Sequence, residues 1–399
     1  MTLLAWMASF RSACLPRWAL LVAVGVSSTL SAQAVITPPD IDASAYVLMD
    51  YNTGEILAQK NANTPLPPAS LTKMMTSYLI EQRLNDNTLR ENDAVLMSER
   101  AWCRGSSSQS CMYVPVNETA SVIDMLRGII IQSGNDASKA MAEHLAGDEA
   151  SFADLMNEEA NKLGMTQSHF VNATGMPETG HVASARDLAI LARAIIKNSG
   201  DYYPLYAEPS FTYNGITQGN RNALLLTDSS VDGLKTGHTS AAGYCLAASS
   251  KREQMRLISV ILGSKSAQSR ADDSRALLNW GFGHFVTEIK ASKGQAVTEI
   301  PVRYGTAEQV AIVTNDTLQV LTTKAAAERI TTVLEVPEHI EAPIALGQPI
   351  GRLVAVMDGQ AVAAVPVVAS AAVTKTGWFS TLWQRLGYWL KAKLQSNDA

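Results

Sequence analysis

The stretch Pro67-Pro68-Ala69-Ser70-Leu71-Thr72-Lys73 marks the start of a helix and carries two reactive side chains. Proline lacks an N–H and its ring clashes with the preceding helical turn, so a Pro-Pro pair is a boundary. The residues that follow, 71–80, are rich in Leu, Met and Tyr with no Gly or Pro, and predict a buried helix. That puts Ser70 in the first turn and Lys73 three residues on, on the same face. A hydroxyl beside an amine in an apolar setting points to a nucleophile with its base. Desolvation lowers a lysine pKa, and the neutral amine then takes the hydroxyl proton. Ser-x-x-Lys also arises by chance, so its weight depends on partners elsewhere in the chain.

Before this stretch, 45–50 reads as a strand, Asn52-Thr53-Gly54 as a turn and 55–60 as the returning strand. After it come helical patterns at 122–131, from about 137 to 145, at 151–163 with Gly164 at the C-cap, and at 188–197 behind Ser184. Residues 213–222 are turn-rich, 243–248 and 255–262 strand-like, and 270–278 helical, ending near Gly281. Strands at both ends and helices in the middle predict an α+β domain over 35–285, one antiparallel sheet with a helical block packed against it. From 286 to 369 helical periodicity fades. Short Val/Ile/Thr/Leu runs recur at 309–313, 317–322, 330–336, 351–356 and 361–368, which predicts a small all-β domain.

The 399 residues suffice for two domains; 47% apolar content supports a sizeable core, and a net charge of −5 gives no field for nucleic acid. Arg11 and Arg17, the apolar run 18–26 and Ala32-Gln33-Ala34 follow the order of a secretory signal peptide, with cleavage expected after Ala34. Losing both arginines takes the mature charge to −7. In an oxidising compartment Cys103 and Cys111, which flank a Gly/Ser-rich loop, have the means to form a disulfide, leaving Cys245 odd. His and Cys spacing suggests no metal site. Residues 370–399 read as a linker and an amphipathic helix. Trp378, Phe379, Trp383 and Trp389 form an aromatic stripe, with Arg385, Lys391 and Lys393 between apolar positions, the pattern of a helix lying in a membrane interface.

Two further signals join the first: Ser133-x-Asn135, at a helix break marked by Gly134, and Lys235-Thr236-Gly237 ahead of a strand. Each is common alone. Lys375-Thr376-Gly377 is a second copy of the last, set aside because no strand pattern follows it. Together they form a coherent acyl-transfer set. Ser70 attacks an acyl carbon, Lys73 takes its proton, Ser133 relays a proton to the leaving amine, and Asn135 holds the substrate amide. Lys235 adds positive potential that favours an anionic substrate and a depressed Lys73 pKa. Gly237 lets a substrate approach the strand backbone and pair with it. The N–H groups of Ser70 and His238 supply an oxyanion hole.

With these three motifs the chain resembles the serine penicillin-binding proteins and looks most like the low-molecular-mass D-alanyl-D-alanine carboxypeptidases. The likeness spans 69–76, 132–137, 231–239, the β domain and the tail. It implies a penicillin-recognising serine-transferase fold, followed by the all-β domain and the anchoring helix. It also implies removal of the terminal D-alanine of peptidoglycan stem peptides, acylation by β-lactam antibiotics, a place on the periplasmic face of the inner membrane, and no cofactor. The resemblance assigns reading of the substrate carboxylate to Thr239, with Arg221 and Arg270 nearby; an arginine fork pairs a carboxylate bidentately. The Cys103–Cys111 loop departs from the family pattern. Two other readings compete. A β-lactamase needs a group that hydrolyses the penicilloyl ester, and 169–175 carries no Glu. A non-catalytic wall scaffold needs no intact motifs.

Overall fold

A computed structural model describes residues 36–104, 109–379, 381–384 and 386. The segment read as a signal peptide, the loop tip 105–108 and the end of the tail lie outside the described residues.

The first hairpin pairs β1 (Ala45–Asp50) with β2 (Ile56–Lys60). A 3-10 turn, Ala69–Thr72, then leads into α1 (Lys73–Asn85), so Ser70 precedes the α-helix proper. Two short strands, β3 (Ala94–Leu96) and β4 (Thr119–Ser121), pair ahead of α2 (Val122–Ile130). Next come α3 (Asn135–Ala146), α4 (Glu149–Leu163) and α5 (Ala185–Asn198). The side chains of Ser121, Asp148 and Ser184 cap α2, α4 and α5, each accepting a backbone N–H three residues on. Gly164 closes α4 in the left-handed conformation that only glycine adopts cheaply. The turn-rich stretch is a hairpin, β5 (Ser210–Tyr213) and β6 (Ile216–Gly219), turning on Asn214-Gly215 with positive φ at both residues. A short α6 (Leu224–Thr227) precedes β7 (Val231–Thr239), β8 (Gly243–Arg252) and β9 (Met255–Ser264), and α7 (Ala267–His284) follows.

The five strands form one antiparallel sheet in the order β2-β1-β9-β8-β7, joining both ends of the segment. Its central strands are buried on both faces and therefore read as near-continuous apolar runs. Val47, Ala247, Ile258 and Val260 face the helical block, while Leu48, Leu246, Ala248 and Leu257 face α7. The sequence indicated one helical layer, and α7 makes a second. Gly281, read as a helix stop, lies inside α7 at its contact with the sheet. A Cβ there would come within 2.6 Å of Leu257 and 2.9 Å of Leu48. Glu81 ties α1 to the rest of the block, accepting from Ser199 and from Tyr206 at 2.7 Å. Burial pushes its carboxyl up to about 7, so near neutrality part of it is uncharged.

The second core holds residues 291–373. Its strands are β10 (Phe285–Ala291), β11 (Ala296–Arg303), β12 (Gln309–Thr314), β13 (Leu318–Thr323), β14 (Ile330–Glu335), β15 (Ile340–Glu341), β16 (Pro349–Met357) and β17 (Gln360–Ala369). Six pair as β14-β16-β17-β12-β11-β15, and β10 pairs with β13. The β domain also reaches further than its last apolar run. Val373 is buried in the same core and bridges to Ile344, and Lys375 bridges to Gly305, so the start of the segment read as a linker belongs to the domain. The second Lys-Thr-Gly is thus a piece of β-domain edge.

Candidate active site

Ala69 has φ +48, a strained value for a residue with a Cβ, and it presents Ser70 at the tip of the 3-10 turn. Two segments press on this turn from different sides, each through a glycine. At Gly175 (φ +82) a Cβ would fall 1.9 Å from the Ala69 carbonyl oxygen. At Gly237, in β7, it would fall 3.0 Å from the Ser70 nitrogen and 3.1 Å from the Pro68 oxygen. Sequence reasoning gave Gly237 to the substrate's approach; the contact that demands a glycine is internal, with the backbone of Ser70 and Pro68.

Lys73, the first residue of α1, is fully buried. Its Nζ lies 3.2 Å from Ser70 Oγ, 2.7 Å from Asn135 Oδ1 and 2.6 Å from the Thr174 carbonyl oxygen. Burial brings its pKa from 10.5 down to about 7, and Arg221 is the next largest cause. The sequence reading gave that second role to Lys235. Lys235 is itself pushed well below its ordinary value, by burial and by repulsion from Lys73, Arg221 and Arg270. For both amines the direction is down, since burial disfavours an ammonium and the nearby Arg221 cation opposes its charge.

The helix break between α2 and α3 supplies the second motif. Ser133 takes φ +59, and Gly134 caps α3, which therefore begins at Asn135 rather than at 137. Asp136 accepts from the N–H groups of Met112 and Tyr113, both at 2.8 Å, and the Asn135 N–H donates to Ser110 O at 2.8 Å. These bonds fasten the loop closed by the Cys103–Cys111 disulfide against the start of α3.

A cleft of about 770 Å³ gathers the motifs. Ser70, Ser133, Asn135, Arg221, Thr236, Gly237, His238, Thr239 and Arg270 line it, and Lys73 and Lys235 are buried beside them. Arg270, matched only by resemblance, is buried, and its guanidinium donates to the carbonyls of Gly237 (3.0 Å) and Cys245 (3.4 Å), bracing β7. Arg221 is exposed at the rim and donates to Ser110 Oγ at 2.6 Å. Thr239 Oγ1 accepts from the Ala242 N–H, leaving its hydrogen to donate. The His238 ring packs on Tyr244, with centroids 4.0 Å apart. Among the described residues, no carboxylate lines this cleft.

Residues 32–266 match the family described as D-alanyl-D-alanine carboxypeptidase. This chain belongs to the D-alanyl-D-alanine carboxypeptidase family. Residues 285–375 match the C-terminal domain of penicillin-binding protein 5, in agreement with a β domain that runs through Lys375. The D-alanyl-D-alanine carboxypeptidase DacD of Salmonella typhimurium is 39% identical over 373 residues, 91% of this chain and 95% of the relative. DacA of Escherichia coli K12 is 37% identical over 349 residues, 86% of this chain and 87% of the relative. The crystal structure of penicillin binding protein 5 from Haemophilus influenzae superposes with a TM-score of 0.74 at 38% identity, covering 85% of this chain and 99% of that one. The carboxypeptidase family makes this chain a serine-type hydrolase with the fold expected from its sequence.

Several site groups escaped sequence reasoning. A carbonyl such as Thr174 O has no residue signature, and 169–175 drew attention only for lacking a glutamate. Gln109, which accepts from Asn135 Nδ2 at 3.1 Å, sits in the Cys-flanked loop whose position the sequence left open.

Proposed function

We propose that this protein removes the terminal D-alanine from peptidoglycan stem pentapeptides through a Ser70 acyl-enzyme, and that β-lactam antibiotics acylate the same serine. The arrangement around Lys73 Nζ carries the reading. With a pKa near 7, a large share of the amine is neutral, with two hydrogens and one lone pair. Asn135 Oδ1 and Thr174 O are the closer acceptors and take the hydrogens, which leaves the lone pair for the Ser70 hydroxyl. Ser70 Oγ attacks the carbonyl of the penultimate residue as its proton passes to Lys73. The N–H groups of Ser70 and His238 receive the developing oxyanion. Ser133 relays a proton to the amine of the departing D-alanine, and water then hydrolyses the ester. Thr236 and Thr239 donate to the substrate, whose free carboxylate is favoured by Lys235, Arg221 and Arg270.

The absence of a carboxylate among the described lining residues supports a long-lived penicilloyl ester over a β-lactamase, because nothing acidic is poised to activate water. Glu149 and Glu178 are engaged instead with the loop, accepting from Ala173 N (3.0 Å) and Asn172 Nδ2 (3.3 Å). The test pairs free D-alanine release from a pentapeptide ending in D-Ala-D-Ala with intact-mass detection of penicillin on the protein. Release and a persistent adduct are expected, both lost in Ser70→Ala. Rapid penicillin turnover without an adduct means a β-lactamase; neither signal means a scaffold.

We further propose export, with the mature chain on the periplasmic face of the inner membrane. The described part of the tail supports this. Trp378, Phe379, Leu382 and Trp383 are 69%, 65%, 57% and 72% exposed, more apolar surface than a helix packed on its own protein leaves in water. Among the described residues, no helix is long and apolar enough to cross a membrane, so the attachment proposed is peripheral. Truncation after Gly377 is expected to abolish sedimentation with anionic vesicles and to leave hydrolysis of a soluble peptide unchanged. The mass of the exported full-length protein should correspond to a start at Val35. Undiminished vesicle binding by the truncated protein refutes the anchor.

A further inference from the structure

We propose that Gln109, held at the cleft by the Cys103–Cys111 disulfide, is a positioning residue that fixes which end of the Asn135 amide faces Lys73. The inference rests on the acyl-enzyme reading above. Asn135 uses both ends of its amide: Oδ1 accepts from Lys73 Nζ at 2.7 Å, and Nδ2 donates to Gln109 Oε1 at 3.1 Å. A flip of this amide alone would set two donors face to face at Lys73 and two oxygens face to face at Gln109, a clash relieved at Gln109 only if its own amide turns as well. Both bonds therefore select one orientation, and only the Gln109 bond comes from outside the proposed catalytic set.

What places Gln109 is the chain that follows it. Downstream, Ser110 O accepts from the Asn135 N–H, and Asp136 holds the N–H groups of Met112 and Tyr113. Cys111, two residues after Gln109, is bonded to Cys103. Cys111 O also accepts from Gln218 Nε2 at 2.9 Å, tying the same point to the β5–β6 hairpin. The disulfide thus closes an eight-residue separation beside the start of α3, its sulfurs within 4.8 Å of an Asp136 carboxylate oxygen. Both ends of the Asn135 amide are taken within the protein, by Lys73 and by Gln109, rather than left for the substrate amide as the sequence suggested, so loss of the Gln109 contact belongs on the acylation step rather than on substrate affinity.

The experiment compares wild type, Gln109→Leu, Gln109→Glu, the pair Cys103→Ser/Cys111→Ser, and that pair combined with Gln109→Leu. The readouts are the rate of penicillin acylation across pH, and kcat and KM for D-alanine release. Gln109→Leu removes the acceptor, and its acylation rate and kcat should fall about five- to tenfold, the worth of one neutral hydrogen bond, with KM within about twofold. Gln109→Glu keeps an acceptor and should recover the rate at high pH. Its acid limb should move upward, because a nearby carboxylate favours the Lys73 ammonium. The disulfide variant should lose about as much as Gln109→Leu, and the combined variant no more than either, since both act through one contact. Wild-type rates in Gln109→Leu, or equal losses in Leu and Glu with an unmoved pH profile, overturn the role of Gln109. Additive losses overturn its link to the disulfide. A wild-type protein that is never acylated sinks the functional reading itself, an outcome distinct from these.

Discussion

Replacing Lys73 with methionine is expected to slow acylation of Ser70 about a thousandfold, the middle of the range for loss of a positioned general base. Methionine nearly matches the apolar stem of lysine, so the helix and its packing survive. It leaves Asn135 Oδ1 and Thr174 O without their shared donor, but it also removes the cost of burying an amine whose pKa is already pulled down to about 7. The two effects oppose one another, so activity should fall far more than stability. The pH profile gives the sharper test. Acylation requires the neutral amine, whose fraction grows as pH rises through the folded-state pKa, so the wild-type rate should climb along an acid limb centred near 7. A lysine at its ordinary 10.5 would place that limb more than three units higher. Linkage gives the stability sign independently. Between about 7 and 10.5 the unfolded chain holds a proton on Lys73 that the folded chain has released, so this group's contribution makes the fold more stable as pH rises through that window. Penicillin acylation rates from pH 5.5 to 9, for both proteins, decide the matter. A wild-type limb above 9, or a Lys73→Met rate within tenfold of wild type, would remove lysine as the base.

The parts of this candidate site legible in the sequence share one property: the proposed chemistry depends on a side-chain type. Ser70, Lys73, Ser133, Asn135 and Lys235 were found because hydroxyl, amine and amide groups recur at spacings that acyl transfer needs, and the structure brings them to one cleft. The helical block was equally legible, since its caps at Ser184 and Gly164 and its 3.6-residue periodicity are local signals. What stayed hidden is non-local or backbone. The Thr174 carbonyl reaches Lys73 across 101 positions and is indifferent to side-chain type. Gly281 is a pause in the pattern of α7 until the sheet beneath it is known. In the β domain, β11 carries Pro301, which weakens a strand reading, and β15 has only two residues, too few to make a period. The chain 370–375 offers only the short run Ala371-Ala372-Val373, and the burial of Val373 with its bridge to Ile344 shows that it finishes a core.

Among the described glycines, Gly175→Ala is expected to be the most damaging alanine substitution. Two costs coincide there. The position has φ +82, and a residue with a Cβ gives up about 1 kcal/mol or more in the left-handed region. The added carbon would also lie 1.9 Å from the Ala69 carbonyl oxygen and 2.8 Å from Thr72 Oγ1. The first of these is backbone and cannot swing aside. Either the 169–175 loop retreats and withdraws the Thr174 oxygen from Lys73, or the Ala69 turn shifts and takes Ser70 with it. We expect a loss of about 3 kcal/mol or more, in the range reserved for overpacking combined with a strained backbone. That corresponds to a melting temperature lower by about 10 °C for a domain of this size. Acylation should fall at least tenfold at temperatures where the variant remains folded. Gly237→Ala supplies the contrast. Its closest contacts are 3.0 and 3.1 Å, a few tenths of an ångström too tight, and no positive φ is involved. It should melt near wild type and still acylate more slowly, because the atom displaced first is the Ser70 nitrogen beside the reacting centre. Equal melting temperatures for the two variants, or a Gly175→Ala protein with wild-type rate and stability, would mean that the nucleophile's turn is not held between these two glycines.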